Sequence, residues 1–492
     1  PKSKSVSSHE VMVKWGLEEA QVLKNLKIKN VPSPIMSDYE WGGMYKPFEH
    51  QKKTSSFLTL HRRAFVFNEQ GTGKTGSVIW AADYLMKLGL IKRVLVLCPL
   101  SIMQSAWQSD LFKFAIHRSV GIAHSYSREK RIDVVNSNVE FVICNYDGLQ
   151  IIRDAVNKNE FDLIVVDEAN AYKTVTTNRW KILNSIIKPK SWVWMMTGTP
   201  ASQSPTDAYG LARVINPAGV PKYFGSFKDL VMYKVSEFVW LPKKNSEDVV
   251  HKALQPAIRF TKEECLDLPE MTYTTRSVPL TKQQNKYYER LRKDMLTIAA
   301  GEEITTVNAA ANLNKLLQLS CGAVYTDNGE TVEFDVSNRL KVLTEVIDEA
   351  SHKVIVFAPY RHAINLIYDY LTKNKYKCDV IHGAVSVNNR TDIFNKFQTE
   401  DSPQVLIIQP QAASHGVTLH AANVVVYWSA VMSVETYLQA NARVHRAGQK
   451  NPCTVVHLQG SAVEKKMYKM LQSKIDTHNK LIDLYKNIIK DT

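Results

Sequence analysis

Residues 68–75 read Asn68-Glu69-Gln70-Gly71-Thr72-Gly73-Lys74-Thr75, between an apolar run, Ala64-Phe65-Val66-Phe67, and a helix-like run from Gly76 to Leu88. A strand, a glycine-bearing turn ending in Lys-Thr and then a helix is the layout of a phosphate-binding loop. Gly71 and Gly73 let the backbone curl so that its N–H groups converge on an anion. The following helix adds the positive end of its dipole. Lys74 is expected to reach the β- and γ-phosphates of a nucleotide, and the Thr75 hydroxyl to hold Mg²⁺. Asn68 stands where the strict pattern has Gly. The loop alone implies a nucleotide without fixing the reaction.

Short β-branched runs extend outward from this loop in two sets. The first comprises 64–67, 93–98, 141–144, 163–166 and 192–196; the second comprises 353–357, 378–381, 405–408, 424–427 and 454–458. Runs of this kind, with amphipathic segments between them, read as buried parallel strands. The expected fold class is therefore α/β, with two parallel-sheet lobes. In the first set, Leu163-Ile164-Val165-Val166 is followed by Asp167-Glu168. Ligands bind outside the carboxyl ends of such strands. A carboxylate there suits Mg²⁺ opposite Thr75, and its neighbour suits orienting and deprotonating a water. In isolation an acidic pair at a strand end is often only surface. Thr197-Gly198-Thr199-Pro200 closes the last strand of this set and reads either as a partner of the acidic pair or as a plain turn.

The second set carries Gln439-Ala440-Asn441-Ala442-Arg443-Val444-His445-Arg446-Ala447-Gly448-Gln449. Arg443 and Arg446 are three apart, so a helix would place them on one face, with Gly448-Gln449 ending it. Two guanidinium groups there match a phosphate whose charge grows during transfer; without context they would be a basic solvated helix. His415-Gly416-Val417-Thr418-Leu419 lies upstream, where Gly416 permits a tight turn near the same cleft. His415 has no His or Cys at metal-ligand spacing.

The chain has 492 residues, 45% hydrophobic and 22% charged, with a formal charge of +14. Its isoelectric point is about 9.2. The excess of Lys and Arg points to a polyanionic partner, most simply nucleic acid. No apolar run approaches the ~18 residues of a membrane span, and the polar N-terminus shows no secretory signal. The six cysteines form no CxxC pair, which argues against a structural zinc site and for a reducing compartment. Between the two sets the pattern turns helical. Tyr287, Leu291, Met295 and Ile298 line one face, and Leu313, Leu316 and Leu317 another. Residues 243–248 read as an exposed loop. Val463, Met467, Leu471 and Ile475 step by four, as in a closing helix. The expected division is an N-terminal extension over 1–40, a nucleotide-binding lobe over 41–205, a helical insertion and linker over 206–335, a second lobe over 336–460 and a C-terminal helical brace over 461–492.

In this order, the phosphate loop, acidic pair, TGTP, helical insertion, HGVTL and twin arginines ending in GQ resemble the Swi/Snf-type DNA-translocating ATPases of the superfamily-two helicases, in particular their short bacterial or bacteriophage-like members. The resemblance runs from about Met44 to Glu464, and RVHRAGQ is its most specific piece. It implies RecA-like lobes facing across a cleft, with ATP and Mg²⁺ on the first and the arginines arriving from the second. By the resemblance, Lys74, Asp167, Glu168, Arg443 and Arg446 are catalytic. Gln51, Gln70, Gly71, Thr72, Gly73, Thr75, Gly416 and Gln439 join Lys74 in holding the nucleotide, with Gln51 reading adenine. Thr75 and Asp167 hold the metal. Leu97–Leu100 with Trp107 resembles a segment that meets the DNA backbone, and Ile143–Asp147 the next such segment. His382-Gly383 with Arg390 resembles the second lobe's nucleic-acid motif, and 257–262 with Leu268-Pro269 the linker between lobes. Three stretches depart from the family pattern: Asn170 stands for a His, Asn68-Glu69-Gln70 for Asp-Glu-Met, and Gln203 for an Asn.

The expected activity is an ATP-driven motor on double-stranded or branched DNA, monomeric when free. The expected location is the cytoplasm of a bacterium or phage-infected cell, or the nucleus if the source is eukaryotic. A strand-separating helicase and an ATP-gated DNA clamp with weak turnover remain the alternatives. The first forty residues are expected to pack on the first lobe.

Overall fold

The computed structural model describes residues 12–473, apart from 13, 29–30, 199, 202–203, 236–239, 266–267, 302–305, 326–330 and 414–416; at 105, 294–301, 306–310 and 387 only the backbone is described. Two parallel sheets form two RecA-like lobes. The first runs in the spatial order Val120–Ile122, Phe141–Asn145, Val94–Cys98, Leu163–Val166, Trp192–Met196, Arg63–Val66, Ala257–Ile258. The second runs Met271–Ser277, Cys453–Gln459, Ala422–Tyr427, Lys353–Phe357, Val405–Ile408, Cys378–Ile381. Their central strands are fully buried, which explains why each reads as a continuous apolar run.

The strands that the apolar pattern did not predict lie at sheet edges. Met271–Ser277 is largely exposed, yet it pairs along its whole length with Cys453–Gln459. Ala257–Ile258 pairs with Arg63–Val66 on the far edge of the first sheet. The stretch 206–335, expected as a helical insertion and inter-lobe linker, contributes elements to both lobes. The helix Ala208–Ile215 packs in the first lobe's core. Leu313, Leu316 and Leu317 of the helix Thr306–Cys321 pack in the second. In the helix Lys282–Gly301 it is Tyr288, not Tyr287, that is buried. The helix Ser246–Ala253 begins inside the polar stretch expected to be a loop.

Among the described residues before 41, Ile35 and Tyr39 are fastened to the first lobe. Ile35 and Tyr39 join Trp80 and Tyr84 in a small aromatic cluster. Tyr39 Oη donates to Asp83 at 2.7 Å, beside His117 at 2.7 Å and Arg118 at 2.6 Å. Burial pushes the Asp83 carboxyl up, but these donors outweigh it and hold it below its usual range.

The helix Ala462–Gln472 closes the second lobe through Val463, Met467 and Leu471; Ile475, expected on the same face, lies outside the described residues. A buried ion pair fixes this helix. Glu464 meets both terminal nitrogens of Arg339 at 2.8 Å, and accepts from the backbone N–H of Gly460 and Ser461. Arg339 also donates to the Trp428 carbonyl. Removing one member strands the other charge in the core, which costs ~3–5 kcal/mol. Glu464→Ala should therefore lower the unfolding free energy of the second lobe by that amount, read from a urea titration. A loss within error of an exposed substitution such as Lys465→Ala would disprove the staple.

Candidate functional site between the lobes

Because every strand of the first sheet is parallel, the loops after Arg63–Val66, Leu163–Val166 and Trp192–Met196 open on one edge. Gly71 and Gly73 adopt positive φ, 87° and 76°, and Gly73 caps the helix Lys74–Lys87 in a left-handed conformation. Both positions are also crowded. A Cβ on Gly73 would lie 2.1 Å from Gln51 Nε2, and one on Gly71 would lie 3.1 Å from Arg446 Cβ. The loop is thus pressed from below by its own lobe and from above by the other. Lys74 Nζ donates to the carbonyls of Asn68 at 2.9 Å and Glu69 at 3.3 Å, spanning its own loop. Asn68, in the place of the usual Gly, bonds Thr54 through Nδ2 at 2.9 Å and receives the Phe260 N–H on Oδ1 at 3.1 Å. It fastens the loop's entry to the segment that crosses between the lobes.

The acidic pair sits opposite. Asp167 Oδ1 accepts the Glu168 N–H at 2.9 Å, and Oδ2 accepts the Trp107 indole N–H at 2.9 Å. Glu168 is held in the left-handed region, at φ 48° and ψ 57°, a conformation that costs a non-glycine residue of order 1–3 kcal/mol and is found mostly at functional sites. Burial raises the proton affinity of both carboxyls; the neighbouring Asp167 charge pushes Glu168 up further, to about 7, and Lys74 pulls against the rise in both. Glu168 Oε2 and both amide atoms of Gln70 are buried without a hydrogen-bond partner among the described residues.

The second lobe supplies the roof. Arg443 ends the helix Val434–Val444, with its Nε on the Gln439 carbonyl at 3.2 Å. The helix stops at Val444, so Arg446 does not share its face as the spacing suggested. His445 turns the chain, with its ring on the Pro269 carbonyl at 2.8 Å, and Arg446 follows in the turn, donating to the Val417 carbonyl at 3.1 Å. Gln449 pins this turn by bonding the carbonyls of His420, Ala422 and Val444.

A cavity of about 1100 Å³ joins these parts. Gln70, Gly71, Gly73, Lys74, Thr75, Asp167, Glu168, Arg443 and Arg446 all line it, and Arg390 does so from the second lobe. Other expected nucleotide contacts lie behind its wall. Gln51 spends its amide on the Phe48 N–H and the Gly73 carbonyl, clamping the loop from below. Thr72 is buried, with its hydroxyl on the Glu69 carbonyl. Gln439 bonds Glu435 beneath Arg443. Gly416, Thr199 and Gln203 lie outside the described residues. Trp107, expected near the DNA backbone, is instead fully buried against the acidic pair.

Several residues of the site carried no signal in the sequence. Lys262, read only as the end of a linker, places its Nζ on the His445 carbonyl and its N–H on Glu69, and so bridges the lobes. Glu435 receives the Asn170 side-chain amide across the cleft at 3.2 Å. The cations here crowd one another. Burial, with neighbouring positive charge, pushes the Lys262 ammonium down to about 7 and the Arg443 guanidinium down to about 10. Lys74 is lowered chiefly by burial, against the pull of Glu168 and Asp167. Such a cluster is relieved by a multiply charged anion. Thr75 and Asp167 offer hard oxygen donors, the set that suits Mg²⁺ shared with phosphate oxygens.

The fold and the cleft define a two-lobed RecA-like protein in which a glycine-bearing loop with Lys74 faces Arg443 and Arg446. The chain belongs to the SNF2 family: the SNF2-related domain matches residues 12–322, and the helicase conserved C-terminal domain matches residues 338–448. It is 26% identical over 472 residues to a SWI/SNF-related matrix-associated actin-dependent regulator of chromatin subfamily A-like protein 1 homolog of Caenorhabditis elegans, covering 92% of this chain and 64% of the relative. It is 24% identical over 397 residues to an uncharacterized ATP-dependent helicase of Mycoplasma genitalium, covering 80% and 37%. The chain thus spans less than two thirds of these relatives' length. Among solved structures, a Sulfolobus solfataricus SWI2/SNF2 ATPase core in complex with dsDNA aligns over 91% of this chain and 95% of that one, at 22% identity and a TM-score of 0.44. No helix among the described residues is long and apolar enough to cross a membrane.

Proposed function

We propose that this chain hydrolyses ATP between its lobes and uses the cycle to move along, or remodel, double-stranded DNA. The observation that carries the reading is the shared cavity: a loop lysine, an acidic pair and two arginines from the opposite lobe all face it. Membership of the SNF2 family and the formal charge of +14 support a polyanionic track.

In this reading the loop's N–H groups and Lys74 hold the phosphates, and Gln70, whose buried amide has no partner among the described residues, meets the terminal phosphate or the water that attacks it. Thr75 and Asp167 would hold Mg²⁺, which supplies charge neutralisation between phosphate oxygens. Glu168 orients the water and takes its proton as the new P–O bond forms and the bridging P–O bond breaks. Arg443 and Arg446 face the charge that grows on the transferred group. Because they belong to the other lobe, the chemistry is tied to closure of the cleft, and its completion to reopening.

The test is ATP turnover measured side by side with duplex, branched and single-stranded DNA, with RNA as control. Strong stimulation by duplex, falling steeply as salt rises, is expected for a protein that follows the phosphate backbone. Turnover indifferent to every nucleic acid would refute the motor. Tight ATP-dependent DNA binding with negligible hydrolysis would identify a clamp, and release of a strand from a forked duplex would identify a strand-separating helicase.

A further inference from the structure

The acidic pair is held by two aromatic side chains from elsewhere in the first lobe. Met103–Gln108 forms a π-helical turn, a geometry that inserts an extra residue and is frequent at functional sites. The turn carries Trp107, which is fully buried. A buried indole N–H needs an acceptor, and this one uses Asp167 Oδ2 at 2.9 Å. With Oδ1 taken by the Glu168 N–H, both oxygens of Asp167 are tethered and the plane of the carboxylate is fixed.

The backbone is held in the same way. Tyr146 Oη donates to the Asp167 carbonyl at 2.5 Å and lies 3.3 Å from the Glu168 carbonyl. These are the carbonyls on either side of the point where the chain turns left-handed at Glu168. The Tyr146 ring is itself fixed, edge-on to Tyr172 and under the Arg179 guanidinium. Arg179 is anchored in turn by Asp147 at 2.6 Å.

We propose that Trp107 and Tyr146 are positioning residues of the hydrolytic site: Trp107 sets the Asp167 carboxylate for the metal–nucleotide complex, and Tyr146 holds Glu168 in the strained conformation that aims it at water. The inference rests on the ATP-hydrolysing reading of the cleft. It assigns the two side chains separable effects. Trp107 acts on a carboxylate facing the metal, so its loss weakens the metal-dependent part of nucleotide binding. Tyr146 acts on the backbone of Glu168, so its loss slows turnover without changing nucleotide affinity.

The experiment measures binding of a fluorescent ATP analogue with Mg²⁺ and with chelator, together with kcat and KM, in the full chain. Trp107→Phe, which keeps a ring and removes the N–H, should cut the Mg²⁺-dependent gain in affinity by about 10- to 100-fold, the usual effect of losing a group that orients a metal ligand. Its affinity for metal-free nucleotide should stay unchanged, which mere loss of core packing would not produce. Tyr146→Phe removes one hydroxyl and should lower kcat by about tenfold or more at unchanged KM and binding; it carries the test should Trp107→Phe fail to fold. A Mg²⁺-dependent gain in Trp107→Phe equal to that of the unaltered chain, or an unchanged kcat in Tyr146→Phe, overturns the corresponding assignment. If the unaltered chain binds nucleotide no better than Lys74→Ala, the nucleotide reading itself fails and this inference falls with it.

Discussion

Arg446→Ala should lower DNA-stimulated ATP turnover by ~10³-fold or more, the range in which an arginine supplied from outside the nucleotide site acts in phosphoryl transfer. The expectation follows from where the side chain stands. Arg446 comes from the second lobe, lies over the phosphate loop at Gly71 and lines the same cavity as Lys74 and Glu168. Its Nη1 is held by the Val417 carbonyl, which leaves other guanidinium donors for a phosphate. ATP affinity should change far less than turnover, because the guanidinium is needed most where charge develops. The substitution also removes one of several crowded cations, so thermal stability should not fall. Phosphate release and binding of a fluorescent ATP analogue, measured together, check both halves. Retention of most of the turnover would remove the arginine from the reaction.

Lys74→Ala should abolish measurable turnover and weaken ATP binding, whereas Glu168→Gln should bind ATP normally and lose ~10²–10⁴-fold in turnover, the contribution of a positioned general base. The contrast arises from what each side chain faces. Lys74 spans the loop on the Asn68 and Glu69 carbonyls and carries positive charge at the cavity wall. Glu168 has a buried oxygen without a protein partner and is the acidic residue in the left-handed conformation. Equal losses of affinity in the two variants would mean that Glu168 binds nucleotide rather than serving hydrolysis. Normal turnover in Lys74→Ala would end the phosphate-loop assignment.

The fold was legible wherever burial on both faces forces an uninterrupted apolar run. Leu163–Val166, Trp192–Met196, Lys353–Phe357 and Val405–Ile408 have the bounds read from the sequence, and so does the half-buried edge strand Cys378–Ile381. The edge strands Met271–Ser277 and Ala257–Ile258 escaped the same reading, the first because one side faces water and polar residues are tolerated along it, the second because it is only two residues long. Within the middle of the chain, expected as a helical insertion and linker, Met271–Ser277 and Ala257–Ile258 are two short segments that fasten it to different sheets.

Local chemistry determined the glycine loop before Lys74. Only glycine accommodates positive φ and such close approach at Gly71 and Gly73 without strain, and the strand-to-helix turn around them spans few residues. The acidic pair and the arginines were visible as residue types at strand and helix ends. What lay beyond the sequence was their meeting. Arg446 reaches the cleft through a turn held by His445 and Gln449 rather than along a helix face; Gln51 and Gln439 brace the wall instead of lining it; and Lys262, Glu435 and Trp107 enter the site from distant segments. Periodicity and short motifs report which face of an element is buried and which loops curl. The partners that satisfy a buried charge or N–H are chosen by packing between segments far apart in the chain, and that choice is made only in three dimensions.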